Sequence, residues 1–135
     1  MREQYQGLRS LGIAYRVKTH ELATLPQSMR AEGIEGYRVW PVTDGPDHFP
    51  MRYRYPMDGD ASRELGYDMA ADPVRRAAMA SARDTGQPAL TGKISLVSSD
   101  APQTHRALAA MLYLPLYRGQ MWSGTVDERR EALRG

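Results

Sequence analysis

The sequence predicts an α+β domain, an antiparallel sheet of five or six strands with helices packed on one face. Three observations carry this. Residues 72–85 read as a helix marked at both ends. Residues 49–56, FPMRYRYP, alternate with a two-residue period, the mark of a half-buried strand. The elements run strand, helix, two strands, helix, two strands, with connections short enough for antiparallel hairpins.

Taken in order, residues 11–17 alternate weakly and predict the first strand. Residues 19–32 predict a helix with Thr19 as N-cap and Leu22, Leu25 and Met29 on one face. Pro26 kinks it or delays its start, and Gly33 ends it. Residues 35–42, EGYRVWPV, predict a strand, and Asp44-Gly45-Pro46-Asp47 a turn. In 49–56, Met51, Tyr53 and Tyr55 share one side and Arg52 and Arg54 the other. A polar turn follows, then a short strand over 64–68. Residues 91–98 and 106–117 predict the last two strands. Residues 125–133 begin a helix with Thr125 as N-cap and Glu128 in the capping-box position. That helix start has little apolar body, so the natural chain is expected to continue beyond it.

The central helix is the best-marked element. The Asp72 carboxylate can accept the free N–H groups of the first turn. Pro73 stands where its missing N–H costs nothing. Gly86 supplies the left-handed residue that closes the helix. Val74, Ala77, Ala78, Ser81 and Ala82 make a narrow face of small side chains, suited to lying against a sheet. Arg75 and Arg76 break the pattern, because the helix dipole disfavours cations in the first turn by roughly 0.3–1 kcal/mol each. Either both are solvated or one faces a ligand.

The chain has 135 residues, enough for one domain, with 41% hydrophobic and 25% charged residues. The net charge of +2, spread over scattered arginines, gives no sign of a nucleic-acid partner. There are no cysteines, which excludes disulfides, thiolate catalysis and zinc–thiolate sites. Residues 1–15 carry no apolar secretory core. The apolar run over 107–117 is too short to span a bilayer. Gly86 to Lys93 has the wrong spacing for a phosphate loop, and Ile94 stands where a magnesium-holding hydroxyl belongs. His20, His48 and His105 lack metal-ligand spacing, no serine lies in a nucleophile elbow, and the acidic residues 58–68 lack the calcium-loop pattern. No enzyme motif or cofactor site remains.

The run from Tyr55-Pro56 through Leu65-Gly66-Tyr67-Asp68, Asp72-Pro73 with Arg75-Arg76, and Ala82-Arg83-Asp84-Thr85-Gly86 to Leu90-Thr91 resembles the CHASE domain, an extracytoplasmic sensor module. Residues 30–34 and 37–41 upstream, and 113–117 and 128–135 downstream, fit the same resemblance, which covers about residues 11–135. It implies a PAS-like antiparallel fold in a periplasmic or extracellular domain held between transmembrane helices. The implied parent is membrane-embedded and homodimeric, with a histidine kinase or diguanylate cyclase as its output module. The chain resembles that family's ligand-binding core, a single domain over 1–135 without the usual N-terminal stalk helix.

The resemblance also implies ligand positions. In plant cytokinin receptors an aspartate in the first turn of this helix holds the adenine, and that position here is Arg75. A backbone contact in the following strand corresponds to Val97, and a threonine of the last strand to Tyr113. A guanidinium in place of an acid suits an anion rather than a donor-rich purine edge. The expected site is a cavity beneath the 72–85 helix with Arg75 at its mouth. The Met51–Tyr53–Tyr55 side of one strand, Thr91, Val97 and Tyr113 line it. The expected ligand is a small carboxylate or similar anion with an apolar or aromatic body. The alternative reading is a PAS-like structural or dimerisation module without a small ligand, whose sheet face would be packed solid.

Overall fold

The computed structural model describes residues 8–56, 64–95, 108–119 and 124–135. Their strands are β1 (Ser10–Ala14), β2 (Val17–Lys18), β3 (Asp47–His48), β4 (Met51–Pro56), β5 (Ala89–Leu90), β6 (Ile94–Ser95), β7 (Leu108–Ala109) and β8 (Leu112–Tyr113). The helices are α1 (Leu25–Ala31), α2 (Pro73–Thr85) and α3 (Val126–Ala132), with 3-10 turns at Thr19–Glu21 and Met69–Ala71.

The fold is α+β with antiparallel pairing, but the expected sheet of five or six strands is not formed among the described residues. Four two-stranded ladders take its place: β1–β4, β2–β3, β5–β8 and β6–β7. The 49–56 strand therefore pairs with β1 and not in a hairpin with the 35–42 strand before it, while the last two strands pair with each other as expected. Local breaks explain the fragmentation. Pro41 removes a ladder donor from the expected 35–42 strand, and only a bridge from Trp40 to Tyr67 remains there. Between the β5–β8 and β6–β7 ladders the register slips by one residue at Gly92 and Lys93. Thr91 closes this gap: its N–H donates to the Met111 carbonyl (2.8 Å) and its hydroxyl accepts the Met111 N–H (2.9 Å).

Single bridges stitch the ladders together. Residues 66–69 run between Trp40 and residues 49–51. The Met51 and Met69 N–H groups donate to the Tyr67 and Phe49 carbonyls, each at 2.9 Å, and the Asp68 N–H donates to the Trp40 carbonyl at 2.8 Å. On the far side, the Arg118 N–H donates to the Ala132 carbonyl (2.8 Å) and the Arg134 N–H to that of Leu116 (2.7 Å).

The helix expected over 19–32 divides into the first 3-10 turn and α1, and Pro26 sits in the first turn of α1, where its missing donor is harmless. Leu25 and Met29 pack with Val17 and Tyr37 in one apolar cluster. A second cluster gathers Met51, Tyr67 and Met69, with Met79, Met111 and Tyr113 against it. Burial pushes the Tyr37 phenol up to about 12, and its hydroxyl donates to the Met51 carbonyl at 2.9 Å.

The ends of α2 are those the sequence marks. Asp72 accepts from the Val74 N–H at 2.9 Å, and Gly86 is left-handed with φ of 70°. The buried stripe is Arg75, Ala78 and Ala82. Val74, Ala77 and Ser81 instead face an open apolar groove of about 550 Å³ shared with Leu90, Thr91 and Gly92. The small face is thus only half covered.

Candidate functional site

Arg75 follows Pro73 and Val74 in the first turn of α2, and the helix turns its side chain inward. It is 2% exposed, so the solvated reading holds only for Arg76, which is exposed and reaches the Ala70 carbonyl at 3.4 Å. Burying a cation at the positive end of a helix needs compensation. Asp72 supplies part of it, with its Oδ2 3.4 Å from Arg75 Nε. The Tyr67 ring supplies more, 5.3 Å from the guanidinium carbon.

Arg75 hydrogen-bonds the Tyr113 hydroxyl, and its Nη1 also faces two sulfur atoms. Met111 Sδ lies at 2.7 Å and Met69 Sδ at 3.4 Å. The Tyr113 hydroxyl is aimed at the same two sulfurs, at 3.4 Å from Met69 and 3.6 Å from Met111. Burial raises the Tyr113 phenol above its usual range, with Arg75 pulling the other way, so the hydroxyl keeps its proton at neutral pH. Two donors therefore converge on thioethers, which are weak acceptors. β8 positions Tyr113, Thr91 pins the backbone of Met111, and the 3-10 turn before α2 positions Met69.

Of the residues singled out from the sequence, Arg75, Thr91 and Tyr113 gather around Met69 and Met111. Val97 lies outside the described residues. Tyr53 and Tyr55 are not brought to this group. Tyr55 is 61% exposed, and the exposed Tyr53 donates its hydroxyl proton to Glu32 just beyond α1. Only Met51 on their side of β4 is buried; on the other side Arg52 and Arg54 are half-buried and paired, Arg54 Nε 3.2 Å from Glu64 and Arg52 Nη2 3.1 Å from Glu32. Alternation reports which residues share a side, not which side is covered. Met69, Met111 and Tyr67 were missed as members of the site. The available signal was the chain's eight methionines, a soft and adaptable lining.

A second polar group underlies the first. Asp68 and His48 are buried at 0% and 2%, with His48 Nδ1 3.0 Å from Asp68 Oδ2. Asp68 immediately precedes Met69, so this group fixes one wall of the Arg75 site. Among the described residues no three His, Cys, Asp or Glu side chains group to hold a metal ion. No described helix is long and apolar enough to cross a membrane.

Short antiparallel ladders with helices packed on them enclose the buried Arg75. The CHASE domain family model matches residues 1–135, and the chain belongs to that family. No curated protein matches it. CHASE domains are non-catalytic extracytoplasmic sensor modules of signalling proteins, and they generally bind small extracellular ligands.

Proposed function

We propose that this chain is the ligand-sensing domain of a membrane-anchored, homodimeric signalling protein, periplasmic or extracellular, with a diguanylate cyclase or histidine kinase as output. Residues 1–135 make one PAS-like core in this reading, with the short ladders as pieces of its curved sheet. The ligand is a small organic anion with an apolar or aromatic body. It takes the donors of Arg75 and Tyr113, while Thr91 holds the strand beside them. One observation carries this reading: a buried guanidinium and a half-buried phenol both point at thioethers. A carboxylate is a far better acceptor than a thioether, and charge-assisted hydrogen bonds contribute roughly 1.5–3 kcal/mol. Met111 has three rotatable bonds and is partly exposed, so it can swing aside as the anion enters.

A thermal-shift screen of organic acids on the wild type and on Arg75→Met tests this. The expected hit raises the wild-type melting temperature and leaves Arg75→Met unmoved. A hit that stabilises both equally, or no hit at all, overturns the anion site. The observation that favours a structural module without a ligand is that sulfur already fills the space in front of Arg75. That reading predicts no stabilising acid for either protein.

A further inference from the structure

We propose that the side of residues 112–117 turned away from α2 is a face on which a second copy of this chain docks, two-fold and antiparallel. These residues run along α2. The Tyr113 hydroxyl meets Met69 and Met111 beside Arg75 near one end of that helix, and the Tyr117 hydroxyl donates to the Arg83 carbonyl near the other. Alternation therefore turns Leu112, Leu114 and Leu116 away from α2. All three are exposed, at 58%, 63% and 44%. Leu90 pairs with Leu112 across the ladder and lies on the same side, 66% exposed and at the rim of the groove beside α2. One face of this ladder packs on α2, and four leucines stand on the other.

A single exposed leucine is ordinary, but four in one patch are not. Their open surface equals that of more than two whole leucines, roughly 400 Å², the size at which an apolar patch marks a contact face. A stable dimer buries about 800 Å² on each partner, roughly two-thirds of it apolar when the partners are identical. The leucines thus supply most of the apolar core that such an interface needs, and the polar rim around them supplies the remainder.

A second copy fits this face better than a charged partner. A two-fold contact sets one patch against itself, so the patch must be self-complementary. Leucines two residues apart on an extended strand stand about 6–7 Å apart. The gaps between them receive the leucines of a copy running the opposite way. The row is uncharged up to Arg118, which is exposed at its end. Antiparallel docking sends the two copies of Arg118 to opposite ends and brings Leu114 near the axis. The inference rests on the homodimeric reading above and gives that dimer a face; the ligand plays no part in it.

The test is sedimentation velocity of the whole chain between roughly 1 and 200 µM, a span that brackets weak and firm interfaces of this size. The wild type should move from monomer toward dimer as concentration rises. Leu114→Glu should stay monomeric, because it sets two carboxylates against each other inside an apolar contact. At the dilute end it should melt within about 2 °C of the wild type, since Leu114 is exposed in the single chain. Val42→Glu, at a position 97% exposed and outside the row, should dimerise as the wild type does. The chain has no cysteines, so Leu114→Cys carries a single thiol. A bis-maleimide about 10 Å long, the spacing of packed sheets, should join two copies of it. Val42→Cys should stay unjoined. A wild type that remains monomeric throughout overturns the proposal. Slow labelling of Leu114→Cys would then put the chain's own residues over the face, and flotation with phosphatidylcholine vesicles would give the face to lipid. Dimerisation of Leu114→Glu at wild-type strength, or equal joining of Val42→Cys, overturns this face and leaves the homodimeric reading standing. Growth beyond a dimer overturns the two-fold arrangement.

Discussion

Four donors converge on the carboxylate of Asp68. The Phe49 and Ala70 N–H groups reach Oδ1 at 2.9 and 3.0 Å, and the Thr43 hydroxyl and His48 Nδ1 reach Oδ2 at 3.1 and 3.0 Å. A carboxylate only accepts, so His48 Nδ1 carries a proton. This is how a fully buried charge is made tolerable: every lone pair meets a strong donor. Arg75 is as deeply buried, yet its Nη1 faces sulfur. The Leu65-Gly66-Tyr67-Asp68 run thus has a physical role: its aspartate anchors the segment that carries Met69 to the side of Arg75. Removing the imidazole leaves three of the four donors in place, so the cost is that of one buried hydrogen bond to a charged group, roughly 1.5–3 kcal/mol. His48→Ala should lose about that much in urea unfolding, with His48→Asn recovering part by restoring a donor. An unchanged midpoint in His48→Ala would show that Asp68 does not depend on the imidazole.

At the scale of elements, residues 66–69 hold the molecule together although no strand is assigned to them. They are hydrogen-bonded to Trp40 on one side and to residues 49–51 on the other. Gly66 makes this possible. Its φ is +81°, and a Cβ there would be driven into the carbonyl oxygen of Arg38. Gly66→Ala should therefore destabilise by more than about 3 kcal/mol, combining left-handed strain with a backbone clash. A circular-dichroism melt within a degree or two of wild type would defeat this. The same element shows what the sequence could and could not disclose. The ends of α2 were legible because capping is local chemistry, written in Asp72, Pro73 and Gly86. The pairing of the last two strands was legible from their short connection. The partner of β4 was not, because β1 is separated from it by α1 and a long loop, and periodicity carries no information about which strand lies alongside. Arg75 was legible as an anomaly on the helix dipole. Its sulfur partners were not, because Met69 and Met111 come from two other elements and meet it only in the folded chain.

At the scale of the whole molecule, α2 joins the Met69–Ala71 turn, β5, β8 and α3. Its 13 residues span about 20 Å. Arg75 stands at one end among Met69, Met111 and Tyr113, and Asp84 stands at the other end. The Asp84 carboxylate accepts two hydrogen bonds from Arg130 of α3, both at 3.0 Å, and another from Arg83 Nε at 2.7 Å. Its backbone carbonyl accepts from Arg129 at 3.0 Å. Arg16 and Arg118 then reach the last carbonyls of α3, where the helix dipole favours cations: Arg16 at 2.8 Å from Arg130 and 3.1 Å from Glu131, Arg118 at 3.1 Å from Glu131. Asp84 thus ties α2 to α3, and Arg16 ties α3 to the segment after β1. The joint is electrostatic and therefore open to acid. Arg130 first, then Arg83, hold the Asp84 carboxyl well below the usual carboxylate range. A lowered folded-state value means that the contribution is fully present above the unfolded value of about 3.9 and is lost as pH falls through the folded one. With Asp84 partly exposed, solvent screening keeps the contribution to roughly 1 kcal/mol. Asp84→Asn should accordingly lose about that much at neutral pH, and the gap to wild type should close as pH falls below about 4. Added salt should narrow the gap at neutral pH as well. Urea midpoints measured from pH 7 down to pH 2 check this. A gap that stays constant across the range would mean that the asparagine disturbs packing and that the Asp84–Arg130 pair contributes no charge-dependent link between α2 and α3.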